Sequence, residues 1–191
     1  MVTRATGRTT RDLLQSILPL AVVVLLFAGM AGMCTFSPGH PETDRGAAPT
    51  VDAPAELARA ARSVDFAVRD PRLPPDWQAN SFGLRPVGED MSGPRAVRVG
   101  WLLPAGGYLR LSQSDAAEPD LVRLETGQRR PIAAGSIDVD GVTWVRYPSV
   151  REETALVADV SGVRLLVTGS APEPDMRSLA AAVLAAPPLP R

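Results

Sequence analysis

The chain has 191 residues, with 20 basic and 21 acidic side chains, one histidine and a formal net charge of −1. Every basic residue is arginine, and the arginines are scattered rather than clustered, so the electrostatic footprint of a nucleic-acid binder is missing and that function class is disfavoured. A single cysteine, Cys34, excludes an intrachain disulfide and a cysteine-based metal site.

Arg4, Arg8 and Arg11 lead into a stretch from Leu13 to Gly39 that carries no Asp, Glu, Lys, Arg or His. The run from Leu13 to Met33 reaches about 31 Å at ~1.5 Å per helical residue, which matches one bilayer core of ~30 Å. Residues 13–34 are therefore expected to form a transmembrane helix. Its Ile, Leu, Val and Phe residues together favour insertion by about 3 to 5 kcal/mol. The basic end stays inside, so residues 1–12 are read as a cytoplasmic tail and the bulk of the chain as extracytoplasmic. A cleavable signal peptide is the rival reading. It needs small residues at −3 and −1, and Gly29 with Ala31 is a weak match, so a retained anchor is preferred. Cys34 stands where a lipoprotein carries its acylated residue, but Met33 precedes it where processing wants a small side chain. An ordinary apolar cysteine is the better reading. Gly29 and Gly32 are spaced one short of the G-x-x-x-G dimer motif, so no dimerisation is inferred.

Residues 35–52 turn to Pro, Gly, Thr, Ala and acidic side chains, a composition that buries little and reads as a flexible stalk. Residues 53–186 carry regular patterns long enough for one compact domain, and residues 187–191 form a short tail. Pro54 suits a first helical turn, with Leu57, Ala60, Ala61 and Val64 on one face of a short helix. Phe66–Val68 reads as a strand, followed after the Leu73-Pro-Pro-Asp turn by a second strand from Trp77 to Arg85. Val97, Val99 and Trp101 alternate with Arg98 and Gly100, and the pattern resumes at Tyr108 after a Gly-bearing loop. Ser114 to Ile132 is polar, with a helical turn around Leu121 to Glu125. Asp140-Gly141 and Ser161-Gly162 each separate two strand patterns and predict two hairpins. Met176, Leu179, Ala180, Val183 and Leu184 recur at helical spacing until Pro187-Pro188.

Chemistry is sparse. His40, the sole histidine, falls in the stalk, so a histidine-based triad or dyad cannot form within the domain, and the nucleophile-elbow, dinucleotide and P-loop patterns are missing. Asp138-Val-Asp140-Gly141 resembles the start of a calcium loop, but the twelfth position is Ser149, which supplies no bidentate carboxylate; a hairpin turn fits better. Asp115, Glu118 and Asp120, and the pair Glu152-Glu153, read as solvated loop carboxylates. No metal and no cofactor is expected. Trp77, Trp101 and Trp144, with Tyr108 and Tyr147, fall in predicted strands. Large buried area is the ordinary role for such rings, and a ring left facing a groove is the opening for binding. The candidate ligand or partner contacts are Trp77, Trp101, Trp144 and Tyr108.

Leu73-Pro-Pro-Asp-Trp77, Val99-Gly-Trp-Leu-Leu-Pro104, Gly107-Tyr-Leu-Arg-Leu-Ser-Gln-Ser114, Asp140-Gly-Val-Thr-Trp144 and Leu166-Val-Thr-Gly-Ser170 occur in an order that resembles one family. It is the group of actinobacterial single-pass membrane proteins classed as domain of unknown function 4245, and the resemblance covers Arg11 to about Leu184. It implies a cell-membrane location and an external domain, and brings no catalytic residues with it.

The expected architecture is α+β: an antiparallel sheet of about six or seven strands, with an N-terminal and a C-terminal helix packed on it. The expected function is that of a non-enzymatic, membrane-anchored module, held by the lipid bilayer, that binds another envelope protein or a small apolar ligand. The alternatives are a structural subunit of an envelope complex and an envelope enzyme working with carboxylates alone, from Glu118 and Asp120 or Glu152 and Glu153.

Overall fold

The computed structural model of the chain describes residues 17–19, 23, 48–88, 90, 92–150 and 153–191. The chain divides into two units, Met1–Glu42 and Thr43–Arg191. In the first, Ile17, Leu18, Pro19 and Val23 are described, and all are helical and exposed. The rest of the predicted transmembrane helix at 13–34 and the stalk as far as Ala47 lie outside the described residues, as do Cys34 and His40. Among the described residues no helix is long and apolar enough to cross a membrane.

The second unit opens with helix α1 (Ala53–Ala61), started by Asp52, whose side chain accepts the Ala55 N–H at 3.0 Å. Strands β1 (Gln78–Pro86), β2 (Arg95–Leu102) and β3 (Tyr108–Ser114) follow, then helix α2 (Glu118–Thr126). Strands β4 (Ser136–Val139), β5 (Val142–Pro148), β6 (Thr154–Val160) and β7 (Val163–Gly169) come next, and helix α3 (Glu173–Ala185) ends the series. All seven strands form one sheet in the order β1-β2-β3-β7-β6-β5-β4, and every neighbouring pair is antiparallel. The topology is two meanders joined where β3 pairs β7, with α2 carrying the chain from the centre of the sheet to its far edge.

Both predicted hairpins form. At each turn the two central residues have positive φ, 51° and 79° at Asp140-Gly141 and 56° and 83° at Ser161-Gly162, the geometry that matches the twist of the flanking strands. Asp138 and Asp159 brace these turns by accepting the N–H groups of Gly141 and Gly162.

α1 and α3 pack on one face of the sheet and α2 on the other. The helix-pair face is largely apolar: Val97, Val99 and Trp101 of β2, Leu109 and Leu111 of β3 and Leu165 and Val167 of β7 meet Leu57 of α1 and Leu179 and Val183 of α3. On the opposite face Leu121 and Val122 of α2 cover Ala155, Val157 and Leu166. The α+β class with N- and C-terminal helices on the sheet is as expected, and α2 is a full helix where the sequence suggested only a turn. It is closed by Gly127 in the left-handed region.

Phe66–Val68 is not a strand, contrary to the sequence expectation. Phe66 and Val68 are buried, so their alternation is real, but they plug the core as an irregular segment rather than extending the sheet. Its backbone is satisfied by other means. The Gln113 side chain accepts from the Arg69 N–H and donates to the Arg69 carbonyl, both at 2.8 Å, and Leu189 N–H donates to Val68 O at 2.8 Å.

Candidate functional site

Strand alternation puts residues two apart on one face, and the register lines them up across strands. On the α2 side, Ser81 of β1 stands opposite Gly100 of β2, which stands opposite Arg110 of β3. The next row is Gly83, Arg98 and Ser112. A bulge between Ala79 and Ser81, with Asn80 as the extra residue, turns Ser81 onto this face. α2 lies over β5 to β7 and its last turn reaches Ser112, which is wholly buried, so the open part of these rows lies towards β1.

The last turn of α2 borders this open half with Glu125. Leu121 and Val122 fix the buried stripe of the helix, and Glu125 falls on the same stripe, where it is buried with a side-chain exposure of 0%. Three residues surround its carboxylate. Arg98 Nη2 donates to Oε2 at 3.0 Å, and its Nε lies 2.8 Å from Oε1 as a charge contact off the hydrogen-bond line. Arg110 Nη1 donates to Oε2 at 3.0 Å and Ser112 Oγ to Oε1 at 2.8 Å. The two arginine side chains keep 20% and 22% of their surface in solvent, so both run from the buried carboxylate to the surface.

Tyr108 completes the floor. Arg110 Nε donates to its hydroxyl at 3.1 Å, the Arg110 guanidinium lies 5.3 Å from its ring centroid, and Ser81 Oγ shares a hydrogen bond with the hydroxyl at 3.2 Å. The ring lies against Gly100, where a Cβ would stand 2.0 Å from the hydroxyl oxygen. Glycine is required there by close approach. Burial works to lower the pKa of Arg110 and is the largest effect, but Tyr108 and Glu125 outweigh it and hold the pKa above its ordinary value. The resulting depression, of about 160 Å³, is lined by Ser81, Gly83, Arg85, Arg98, Tyr108 and Arg110 among others, and no carboxylate among the described residues lines it. Arg85 is exposed, and its side chain makes no ion pair or hydrogen bond among the described residues.

Of the four residues expected to contact a ligand or partner, Trp77 and Trp101 share one groove, while Trp144 and Tyr108 lie elsewhere. Trp144 is wholly buried, and its Nε1 has no partner among the described residues, while Trp101 is 4% exposed. Both are core residues of the helix-pair face. Trp77 is half-buried and lines a groove of about 520 Å³ with Trp101, Leu73, Pro71 and Pro74, next to the entry of the chain into α1. Only Tyr108 belongs to the open sheet face.

The expected acidic residues are dispersed. Glu118 accepts from the Tyr147 hydroxyl at 2.6 Å, Asp120 pairs with Arg123 at 3.2 Å, and Glu152 lies outside the described residues. Glu153 lines a cavity of about 310 Å³ at the start of α3, together with Arg146 and Glu173. There Glu173 takes a bond from Arg146 at 2.7 Å and one from Arg177 at 3.0 Å, which hold its carboxyl below the usual range. The reasoning from sequence missed Arg98, Arg110, Ser112 and Glu125. Their signal was a period-2 polar row on β2 and β3 together with a carboxylate on the apolar stripe of a helix.

The model of the family described as "Protein of unknown function (DUF4245)" matches residues 6–183. No curated protein and no solved structure matches the chain.

Proposed function

The chain belongs to the DUF4245 family, and on that premise we propose that it is a non-enzymatic binding module, anchored in the cell membrane by residues 13–34 with its folded unit outside the cytoplasm. The anchor rests on the uncharged apolar run and its arginine-rich start. The binding role rests on one observation: the open half of the sheet presents Arg98 and Arg110, held from behind by buried Glu125, with Tyr108 between them and the β1 edge. Fixed guanidinium edges on an uncovered face suit recognition, because their orientation is set before a ligand arrives. A non-enzymatic role is favoured over catalysis by this chemistry, since an arginine–tyrosine surface offers donors but no general base near neutral pH.

Crosslinking and co-purification from intact membranes, comparing the full chain with one lacking residues 1–34, test the reading. The full chain is expected in the membrane fraction, resistant to alkaline extraction, with its folded unit open to external protease and crosslinked through the β1–β3 face. Recovery of the full chain in the soluble fraction, or crosslinks confined to the α1–α3 face, would reject it.

A further inference from the structure

Resting on that reading of the β1–β3 face, we propose that Arg85, Arg98 and Arg110, with the hydroxyls of Tyr108 and Ser81, form a binding site for a phosphate monoester group. Charge is the first argument. Three guanidiniums border or line the depression and Glu125 compensates one, which leaves an excess of two positive charges among the described residues, none of whose carboxylates lines the surface. A phosphate monoester carries about −1.5 to −2 at neutral pH and matches that excess, whereas a carboxylate or a diester neutralises half of it.

Donor supply is the second argument. Arg98 spends one Nη2 N–H on Glu125 while its Nε is buried off the hydrogen-bond line, and Arg110 spends Nε on Tyr108 and one Nη1 N–H on Glu125. The remaining N–H groups of both, with the unengaged Arg85, exceed what two carboxylate oxygens can accept and fit the three oxygens of a phosphoryl group. Shape is the third. Gly83 leaves β1 without a side chain opposite Arg98, where a Cβ would meet nothing within 4 Å, while the Tyr108 side chain fills the place over Gly100. The space of about 160 Å³ admits one oxyanion and its ester carbon rather than a large apolar body.

The test uses the full chain in neutral-detergent micelles and follows the Arg Nε–H resonances by NMR, with affinity taken from calorimetry. Glycerol 3-phosphate is expected to shift Arg98 and Arg110 saturably, and acetate and dimethyl phosphate to bind at least about tenfold more weakly. Arg85→Met, at an exposed side chain outside the Glu125 cluster, is expected to fold normally by near-UV circular dichroism and to weaken glycerol 3-phosphate binding by about tenfold. Doping the micelles with phosphatidic acid distinguishes the source: competition assigns the monoester to a lipid headgroup, and its absence assigns it to a soluble ligand. Acetate binding as tightly as glycerol 3-phosphate at these residues overturns the phosphate assignment while leaving the face a ligand site. No shift at Arg98 and Arg110 with any of these anions overturns the inference outright, and the crosslinking pattern then decides the binding-module reading separately.

Discussion

The two faces of the sheet are made by the same strands and the same alternation, yet they are finished differently. Against α1 and α3 the face is apolar from β2 to β7 apart from Gln113, and Trp144, Leu109 and Leu165 are fully buried. Against α2 the face changes character half-way, from Ala155, Val157 and Leu166 to Ser112, Arg98 and Arg110 around a buried carboxylate. The first face is a stability device, for which hydrophobic area of about the right shape suffices. The second contains a buried ion cluster, which is a poor route to stability because desolvating the charges offsets most of their attraction. What the cluster supplies is orientation: it fixes two guanidinium planes at the border of an open surface.

The largest expected effect tests that distinction directly. Glu125→Ala leaves Arg98 and Arg110 beside an emptied site and is expected to destabilise the fold by about 3 to 5 kcal/mol. Replacing the cluster as a unit, with Glu125→Leu, Arg98→Met and Arg110→Leu together, is expected to restore wild-type stability or exceed it. Denaturant unfolding followed by tryptophan fluorescence measures both. A triple variant as unstable as Glu125→Ala would mean that the ion cluster is a stability device after all. On the other face, Leu165→Ala is expected to cost about 2 to 5 kcal/mol through lost burial and a cavity, and to leave the oxyanion-binding side chains in place.

Gly100→Ala acts between the layers. The new Cβ would displace the Tyr108 ring, from whose hydroxyl it would stand 2.0 Å, for an expected cost of about 1 to 3 kcal/mol. Because Tyr108 in turn holds Arg110 Nε, the same variant is expected to free that guanidinium. A Gly100→Ala protein with unchanged Arg110 resonances would show that Tyr108 does not position the arginine.

How much of this was legible beforehand differs between the same two regions. Hairpins at Asp140-Gly141 and Ser161-Gly162 were readable because turn chemistry is local, and the C-terminal helix because its apolar spacing is regular. Phe66–Val68 misled because burial and alternation do not require a sheet neighbour. Leu189 N–H donates to the Val68 carbonyl and the Gln113 side chain bonds both backbone groups of Arg69, which hold the segment without a sheet neighbour. Trp101 and Trp144 attracted attention as rings but are core residues, whereas Tyr108 does lie on the open face. The arginine–glutamate cluster was written as a polar row on β2 and β3 and one carboxylate on the α2 stripe. Bringing those elements together needs the β2-β3-β7 pairing and the side of the sheet on which α2 packs, and neither is a local property of the sequence.

The smallest expected effects come from pH, and they probe the two faces at opposite ends of the scale. Tyr147 faces α2, and burial, followed by its bond to Glu118, pushes its hydroxyl up to about 12. The native state therefore holds this proton more tightly than the unfolded chain, whose tyrosines titrate near ~10. The stability it contributes is complete below that value and is lost as pH rises through about 12. Glu173, at the start of α3, is displaced in the opposite direction by Arg146 and then Arg177. Its contribution is present above the ordinary carboxylate range and disappears as pH falls through its lowered native value. Phenolate absorbance is expected to show one tyrosine titrating near 12, a step that Tyr147→Phe removes. Unfolding midpoints at acid pH are expected to lose part of their pH dependence in Glu173→Gln. An acid limb left unchanged by Glu173→Gln would show that the bonds from Arg146 and Arg177 add no stability at the start of α3.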